Sequence, residues 1–403
     1  MNNINQYNKL IIMIFENIFK YIKILLINIL LLYIFLYPLE ILVNYKDNTL
    51  FKKTRLYYLS IFKKKQTNKK IYLNFAPYKL LDNKEINLLP FSGYKNSMII
   101  LCLDEFNKPV YYYSDNNGFN NQNKYIKNDL LLLGDSYVQG MCVNTKDNLN
   151  SQFMKLNYKT TSLGVGGNGP LTELATFKEY ENQFKYKKLI LFITPSNDFL
   201  DLSKEIKSEI LNNYLKEKNF KQNIYNKDNE IKKKKILDKY FKKKQDRFLN
   251  DFFSIYHFNL KKIGNLIEKI LKKENILDNK FIYLKNNSLD DQFLKILSKF
   301  IAMTRDRNKD FFVVFNSVNP DILYPNTKNE FELNNLLLEK KVPKIKNFLN
   351  KEGISFFDFN KYLLDNYDKK NTSNLFKKID NQWDHYNEKG FLELAEQISI
   401  KLN

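Results

Sequence analysis

Four continuous apolar runs, each bounded by turn-forming residues, constrain the fold of this chain more than any other feature. They are LLLL at 130–133, KLILFI at 188–193, DFFVVFNSV at 310–318 and ISFFDF at 354–359. Strands that read as unbroken apolar runs are typical of parallel sheets, which are covered on both faces. Helical patterns lie between the runs, at 171–184, 287–305 and 330–350. The alternation predicts an α/β fold of three layers, with helices on both sides of a mostly parallel sheet.

The rest of the 403 residues divides by composition. We expect an N-terminal tail at 1–20, a transmembrane helix at 21–43, a linker with a small β-rich lead-in at 44–125, and the α/β domain at 126–403. Residues 203–285 do not fit the strand and helix alternation and carry KKKK at 232–235 and KKK at 242–244. We interpret them as a helical insertion whose lysines form a solvated face.

The apolar segment ILLINILLLYIFLYPL at 24–39 predicts the membrane helix. Extended to Val43 it has about 20 residues, enough to cross the hydrocarbon layer as a helix. It is longer than a signal-peptide core, and no A-x-A-like cleavage site follows it. Lysines lie on both sides of the segment, so the positive-inside rule does not select an orientation. We take export of the domain that follows as a hypothesis.

The net charge of +21 raises the question of nucleic-acid binding. Only four of the 65 basic residues are arginine, and the arginine fork is the side chain best suited to bidentate recognition of phosphate or guanine. We therefore expect a solvated basic surface and no nucleic-acid partner. The chain has two histidines and two cysteines, without C-x-x-C or H-x-x-x-H spacing, so we expect no metal site and no cofactor. The sequence gives no indication of protein partners.

Glycine marks two loops at the predicted carboxyl edge of the sheet, where ligands bind in open α/β folds. Six of the eleven glycines lie at positions 134, 140, 164, 166, 167 and 169. The first loop lies in LLLLGDSYVQG and places Ser136 directly after a buried strand. The spacing is neither G-x-S-x-G nor that of a P-loop. Backbone N–H groups at the start of a helix favour negative charge, which suits a nucleophilic serine whose attack creates an oxyanion.

Two further segments carry candidate catalytic groups. TPSND at 194–198 follows an apolar strand, and the amide of Asn197 there can donate to an oxyanion. WDHYNEKG at 383–390 precedes a helical pattern at 391–402 and contains His385. His385 is distant from Ser136 in sequence, as is common for catalytic partners that converge from different loops.

These four segments, in this order, resemble the SGNH/GDSL superfamily of serine esterases and acyltransferases. The resemblance covers about residues 116–202 and 380–403. A membrane-anchored subgroup is similar in sequence to three segments of this chain, SDNNGFNN, LGDSYVQGMCV and LGVGGNGPLTELATFKEY. Some relatives of that kind act on cell-envelope polysaccharides. It implies a flavodoxin-like three-layer fold with Ser136 as nucleophile and His385 as general base. It also implies an oxyanion hole made of the Ser136 and Gly167 N–H groups and the Asn197 side chain, each worth roughly 3 kcal/mol of the barrier.

Two positions depart from the superfamily pattern. A G-x-N-D block is usual, whereas Pro195 and Ser196 precede Asn197 here, so the shape of that turn is open. A D-x-x-H block is also usual, whereas Gln382 stands three residues before the histidine. The carboxylate that orients His385 is then Asp384, which we favour, or Asp380, or neither if the pair works as a dyad.

We therefore expect serine-dependent hydrolysis or transfer of O-acyl groups on an ester-bearing substrate, an envelope polysaccharide or a lipid-linked glycan. The alternative is a non-catalytic protein of the same fold that binds glycans or acts as a scaffold. We expect Cys102 and Cys142 to form a disulfide if the domain is exported, because disulfides persist in oxidising compartments.

Overall fold

The computed structural model describes residues 18–39, 71–83, 86–104, 108–122, 127–256, 284–285, 287–379 and 382–402. The described residues fall into two compact units. One holds the N-terminal helix and residues 245–256, and the other holds residues 71–244 and 284–402. The domain boundaries expected from the sequence remain predictions.

The N-terminal helix, α1 (Ile18–Leu39), has 22 residues and a mean hydropathy of 2.2. At 1.5 Å per residue it is about 33 Å long, close to the thickness of a bilayer core. Within the described ranges, α1 is the one helix that is long and apolar enough to cross a membrane. Its apolar side chains are mostly exposed, as the spanning helix of an anchor would require. Residues 40–43 of the predicted span lie outside the described residues.

The second unit contains three sheets. The strands are β1 (Ile71–Leu73), β2 (Met98–Leu103), β3 (Pro109–Tyr113), β4 (Lys127–Leu133), β5 (Thr160–Ser162), β6 (Lys185–Ile193), β7 (Asp310–Phe315), β8 (Ser355–Asp358), β9 (Phe376–Ile379) and β10 (Gln382–Tyr386). The main sheet has five parallel strands in the order β5-β4-β6-β7-β8. The predicted parallel sheet is therefore confirmed. The apolar runs form four of its strands, of which β4, β6 and β7 are largely buried and the edge strand β8 is partly exposed.

Helices connect these strands and cover the sheet. They are α2 (Ser136–Gln139), α3 (Leu149–Lys155), α4 (Pro170–Tyr180), α5 (Pro195–Glu205), α6 (Glu209–Lys216), α7 (Lys227–Tyr256), α8 (Asn287–Asp306), α9 (Pro320–Leu323), α10 (Lys328–Asn334), α11 (Val342–Lys351), α12 (Phe359–Asn366), α13 (Lys369–Ser373) and α14 (Glu388–Leu402).

The strand order puts these helices on both faces. The connection from β4 to β5 moves one way along the sheet, and the later connections move the other way. Because parallel crossovers are right-handed, opposite directions place the connecting helices on opposite faces. The contacts agree: α3 packs against α14, whereas α4, α5, α6 and α8 pack against one another. The three-layer α/β/α class expected from the sequence is confirmed.

Strand order also locates the functional edge. The direction of the connections reverses between β4 and β6, which lie side by side. A crevice opens at the carboxyl ends of the strands at such a reversal, and ligands bind there in open α/β sheets. Ser136 follows β4 and Asn197 follows β6. The fold therefore brings two of the predicted site residues to one edge.

The lead-in is β-rich, as predicted. β2 pairs in parallel with β1 and antiparallel with β3, and together they form a separate three-stranded sheet. Phe75, Phe91 and Phe119, in the loops of the lead-in, are almost fully buried in the same hydrophobic core as the main sheet. The lead-in is therefore packed onto the α/β body rather than attached by a free linker.

Two predicted elements differ in detail from the observed ones. The helix expected at 330–350 is divided into α10, a π-helical segment (Asn335–Lys341) and α11. Pro343 has no N–H to donate to the carbonyl of Glu339, so a regular α-helical ladder cannot continue through this point. The insertion predicted at 203–285 contains the helices α6 and α7, as expected. Its residues 257–283 lie outside the described residues.

Candidate active site

Ser136 is the first residue of the single-turn helix α2, directly after β4. A Cβ on Gly134 would lie 2.5 Å from the Val138 side chain, so only glycine permits this tight turn. The Asp135 carboxylate accepts the Tyr137 N–H at 2.9 Å and caps the helix, and Gly140 ends it with a φ of 77°. The sequence GDSYVQG is therefore a turn that fixes the position of the serine.

His385 lies beside this serine. Its Nε2 is 2.6 Å from Ser136 Oγ, and its Nδ1 is 2.8 Å from Asp384 Oδ1. The structure thus brings three of the predicted site residues into one hydrogen-bonded chain. Asp380 lies outside the described residues.

A local irregularity of β10 makes the pairing of adjacent residues possible. Successive side chains of a regular strand point to opposite faces, which would separate Asp384 from His385. The pairing of β10 with β9 shifts register between Trp383 and Tyr386, the interval that holds both residues. A bulge of this kind redirects side chains at functional sites.

The residues that follow His385 anchor it to the core. Tyr386 is fully buried, and its hydroxyl accepts the Ser317 N–H at 2.8 Å. The Tyr137 ring contacts both His385 and Tyr386, with ring centroids 4.8 and 4.7 Å apart. Asn387 Oδ1 accepts the Lys389 and Gly390 N–H groups at 3.0 Å and caps α14. The segment after the histidine thus serves to hold the imidazole in place.

The pKa of Asp384 is lowered by its surroundings. Burial raises that pKa, but the hydrogen bond and charge of His385, together with the nearby Lys377 ammonium, outweigh the burial. The carboxylate is therefore ionised at neutral pH. An ionised carboxylate at Nδ1 keeps a proton on that nitrogen and leaves Nε2 free to accept the serine proton.

Two backbone N–H groups near Ser136 are available to a ligand. Among the described residues, neither the Ser136 nor the Gly167 N–H has a hydrogen-bond acceptor. Gly167 has a φ of 78°, a conformation that glycine adopts without strain. A Cβ on the neighbouring Gly166 would lie 3.5 Å from the Ser136 Cβ, so the glycine loop passes directly against the serine.

Asn197 lies in the first turn of α5, opposite α2. Pro195 occupies the first helical position, where its missing N–H costs nothing, so the altered turn still starts a regular helix. Asn197 Nδ2 donates to Asp135 Oδ2 at 2.7 Å, which fixes the amide and leaves one N–H of the NH₂ group for another acceptor. Burial raises the pKa of Asp135, and the hydrogen bond from Asn197 opposes that effect.

The glycine loop is held from both ends by buried side chains. Gln139 Oε1 accepts the Gly166 N–H at 2.9 Å. Glu205 accepts the Gly169 and Leu171 N–H groups at 2.7 and 2.9 Å, one with each carboxylate oxygen. Glu205 is fully buried, and burial raises its pKa to about 7.

The lead-in supplies one wall of the site. A Cβ on Gly167 would lie 2.4 Å from the Tyr78 ring, so this ring covers the glycine. Asn74 exchanges two hydrogen bonds with Gln139, at 2.8 and 3.2 Å. The predicted disulfide is also present here: Cys102 of β2 is bonded to Cys142, six residues after Ser136, with Cα atoms 5.6 Å apart.

Sequence reasoning missed several residues that shape the site. Asp135 was visible in the GDS motif, and its place directly before a helix was the available signal for its capping role. Nothing in the sequence linked Tyr78, Gln139 or Glu205 to the serine, because those contacts depend on tertiary structure. No cluster of three potential metal ligands occurs in the part of the chain that the structure describes.

Comparisons with known proteins give low similarity. No family model and no curated protein matches the chain. A lipolytic protein assigned to the G-D-S-L family, from Desulfitobacterium hafniense DCB-2, has 10% identity and a TM-score of 0.35 over 68% of this chain and 98% of that one. The acetyl xylan esterase AlAXEase has 12% identity and a TM-score of 0.35, over 69% and 100% of the two chains.

A third solved structure, described as an acylhydrolase from Bacteroides fragilis NCTC 9343, has 9% identity and a TM-score of 0.32, over 70% of this chain and 88% of that one. At such identities and TM-scores the similarity assigns no activity to this chain.

Proposed function

We propose that this protein is a serine esterase or O-acyltransferase of the SGNH/GDSL type, with Ser136 as nucleophile, His385 as general base and Asp384 as the residue that orients the base. The observation that carries the proposal is the chain from Ser136 Oγ to His385 Nε2, at 2.6 Å, and from His385 Nδ1 to Asp384, at 2.8 Å. Nucleophile, base and orienting group within hydrogen-bond reach are the signature of an activated serine.

In the first step Ser136 Oγ attacks the carbonyl carbon of an ester while His385 Nε2 takes the hydroxyl proton. The negative charge that develops on the carbonyl oxygen is stabilised by the Ser136 and Gly167 N–H groups and the remaining N–H of Asn197. When the intermediate collapses, the C–O bond to the alcohol breaks and the imidazolium returns the proton to the departing oxygen. An acyl group remains on Ser136.

In the second step an acceptor hydroxyl attacks the carbonyl carbon of the acyl-enzyme and His385 takes its proton. The bond from that carbon to Ser136 Oγ then breaks, and the imidazolium returns the proton to Ser136. Water as the acceptor gives hydrolysis, and a sugar hydroxyl gives acyl transfer. Tyr78 and the glycine loop border the serine, and a wall of this kind favours transfer when it keeps water out.

We assign the substrate to the acylated glycans of a cell envelope, either a polysaccharide or a lipid-linked precursor, on the exported side of the membrane. The apolar helix α1 supports attachment to a membrane. The disulfide supports an oxidising compartment, because disulfides are rare in reducing ones. A C-terminal reporter that is active only in the cytoplasm would contradict the exported orientation.

Covalent labelling tests the nucleophile directly. The full chain in detergent micelles is treated with a fluorophosphonate probe, and the adduct is located by mass spectrometry. Ser298→Ala is the matched control, because Ser298 is exposed and its hydroxyl donates only to the Leu294 carbonyl within its own helix. We expect an adduct at Ser136 in the wild type and in the control, none in Ser136→Ala, and labelling at least about 100-fold slower in His385→Ala.

The same preparations are then assayed for p-nitrophenyl acetate hydrolysis, with and without an oligosaccharide acceptor. Acetylated oligosaccharide as a product identifies a transferase, and acetate alone identifies a hydrolase. A folded wild type that neither labels nor hydrolyses would exclude the enzyme and leave the non-catalytic, glycan-binding alternative.

A further inference from the structure

A cavity of about 450 Å³ lies between the lead-in sheet and the first turns of α7. Its wall includes Tyr72, Tyr180 and Tyr225, Asn117, and the lysines Lys233 and Lys234. The volume is within the range of small-molecule sites, roughly 300–1,000 Å³. None of the residues assigned to catalysis contributes to this wall.

The cavity is distant from Ser136. Helix α4 begins at Pro170, next to the glycine loop that borders the serine, and ends at Tyr180, which lines the cavity. Ten residues of α-helix span about 15 Å. The cavity is therefore separate from the proposed active site, at the C-terminal end of α4.

Lys233 dominates the chemistry of this cavity. Its ammonium donates to Ser92 Oγ at 2.6 Å, and Ser92 in turn contacts the Tyr180 hydroxyl at 3.0 Å. Among the described residues, no carboxylate forms an ion pair with this ammonium. Burial lowers the pKa of Lys233 to about 8, so it still carries a positive charge at pH 7.

The two nearby carboxylates are already engaged. Glu230 pairs with Lys95 at 2.7 Å. Asp115 accepts the Asn117 and Phe119 N–H groups at 2.8 and 3.0 Å and the Asn121 amide at 2.7 Å. The Lys233 charge is therefore compensated by dipoles and by distant carboxylates. Lys233 is half-buried, and a charge partly withdrawn from water without a direct counter-ion is costly. An anionic ligand would supply the missing partner.

We propose that this cavity binds an acidic sugar, a saccharide ring that carries a carboxylate or a phosphate, with Lys233 as the anchor of the acidic group. The tyrosine side chains contribute apolar surface to the wall for the C–H groups of a sugar ring, and the polar groups among the lining residues offer hydrogen bonds to its hydroxyls. Lys234 adds a second positive charge at the same wall. The proposal concerns binding only and does not depend on the activity of Ser136.

Three small probes test the proposal on the full chain in detergent micelles at pH 7. Glucuronate and glucose 6-phosphate carry the two acidic groups, and glucose is the matched neutral ring. Binding is followed by saturation-transfer NMR of the probe, which detects millimolar dissociation constants. We expect at least one acidic probe to bind about tenfold or more tightly than glucose, since hydrogen bonds to charged groups are stronger than neutral ones. The stronger of the two identifies the acidic group.

Variants of neighbouring lysines separate this cavity from the general basic surface. Lys233→Met should weaken the acidic probe about tenfold or more and leave glucose unchanged. Lys232→Met removes an exposed charge one residue earlier that does not line the cavity, so it should change the affinity less than twofold. Lys234→Met should weaken the acidic probe by a smaller factor, and it replaces Lys233→Met if that variant does not fold.

Three results would overturn the proposal. Equal binding of charged and neutral rings would remove the role of the ammonium. Equal losses in Lys232→Met and Lys233→Met would assign the effect to overall charge. Displacement of bound glucose 6-phosphate by an equal concentration of inorganic phosphate, followed by the loss of the saturation-transfer signal of the sugar, would show that the ring contributes nothing.

Discussion

Replacement of Asp384 by asparagine tests the part of the site that the sequence left open. The variant keeps the size of the side chain and removes the charge that faces His385 Nδ1 at 2.8 Å. In the proposed mechanism the imidazole becomes positively charged when it takes the serine proton. Loss of this attraction therefore destabilises the transition state more than the ground state. The variant should have a lower kcat with little change in KM.

The magnitude follows from the distance and the exposure. Two unit charges 2.8 Å apart attract by about 1.5 kcal/mol in water and about 6 kcal/mol at the effective dielectric constant of a protein surface. The side chains of Asp384 and His385 are 31% and 18% exposed, so the value lies between these limits. About 3 to 4 kcal/mol corresponds to a loss in kcat of roughly 200- to 900-fold, at 1.36 kcal/mol for each factor of ten.

The assay is p-nitrophenyl acetate hydrolysis by the full chain, together with the rate of fluorophosphonate labelling at Ser136. Asp380→Asn is the matched control, because it makes the same change at the alternative residue. Activity of Asp384→Asn within threefold of the wild type would refute the role of this carboxylate. An equal loss in Asp380→Asn would refute the choice between the two.

Three further outcomes are expected. Gly167→Ala should lower kcat at least about 100-fold, because its Cβ meets the Tyr78 ring at 2.4 Å, and Tyr78→Ala in the same chain should restore part of the rate. Cys102→Ser should lower the free energy of unfolding by about 4 kcal/mol under oxidising conditions, as denaturant titration would show, since the disulfide closes a 40-residue loop. The pKa of Glu205 is raised by burial to about 7 from 4.5, so the folded state keeps a proton that the unfolded state releases, and stability should fall by up to about 3 kcal/mol between pH 4.5 and 7. Urea unfolding at several pH values in this range should show that the free energy of unfolding falls less with pH in Glu205→Gln than in the wild type. An equal decrease in both proteins would contradict the assignment.

The layers of the fold could be predicted because strands covered on both faces appear in the sequence as continuous apolar runs. Each apolar run became a strand of the main sheet, and the carboxyl ends of those strands carry Ser136 and Asn197. The division of the 330–350 helix was not foreseen, although Pro343 was the signal for it. The apolar patterns thus predicted the order of strands and helices, whereas the division of the 330–350 helix depended on a single proline.

The sequence favours Asp384 over Asp380 only through its place in the WDHYNEKG block. The contact between Asp384 and His385 depends on an irregularity of β10. With regular pairing, Asp384 would face away from His385. The register shift lies between Trp383 and Tyr386, where the Asp384 carboxylate contacts His385 Nδ1. No residue in that interval is a glycine or proline that would signal it.

The composition of the lead-in suggested a separate module, but its contacts argue that it is part of the proposed active site. Tyr78 covers Gly167, Asn74 bonds to Gln139, and Cys102 is bonded to Cys142. All three links end on the two loops that position Ser136 and its oxyanion donors. Loss of these three contacts would therefore open the wall beside Ser136 and release the glycine loop. Hydrolysis would then be favoured over transfer, since exclusion of water is what gives a sugar hydroxyl its advantage.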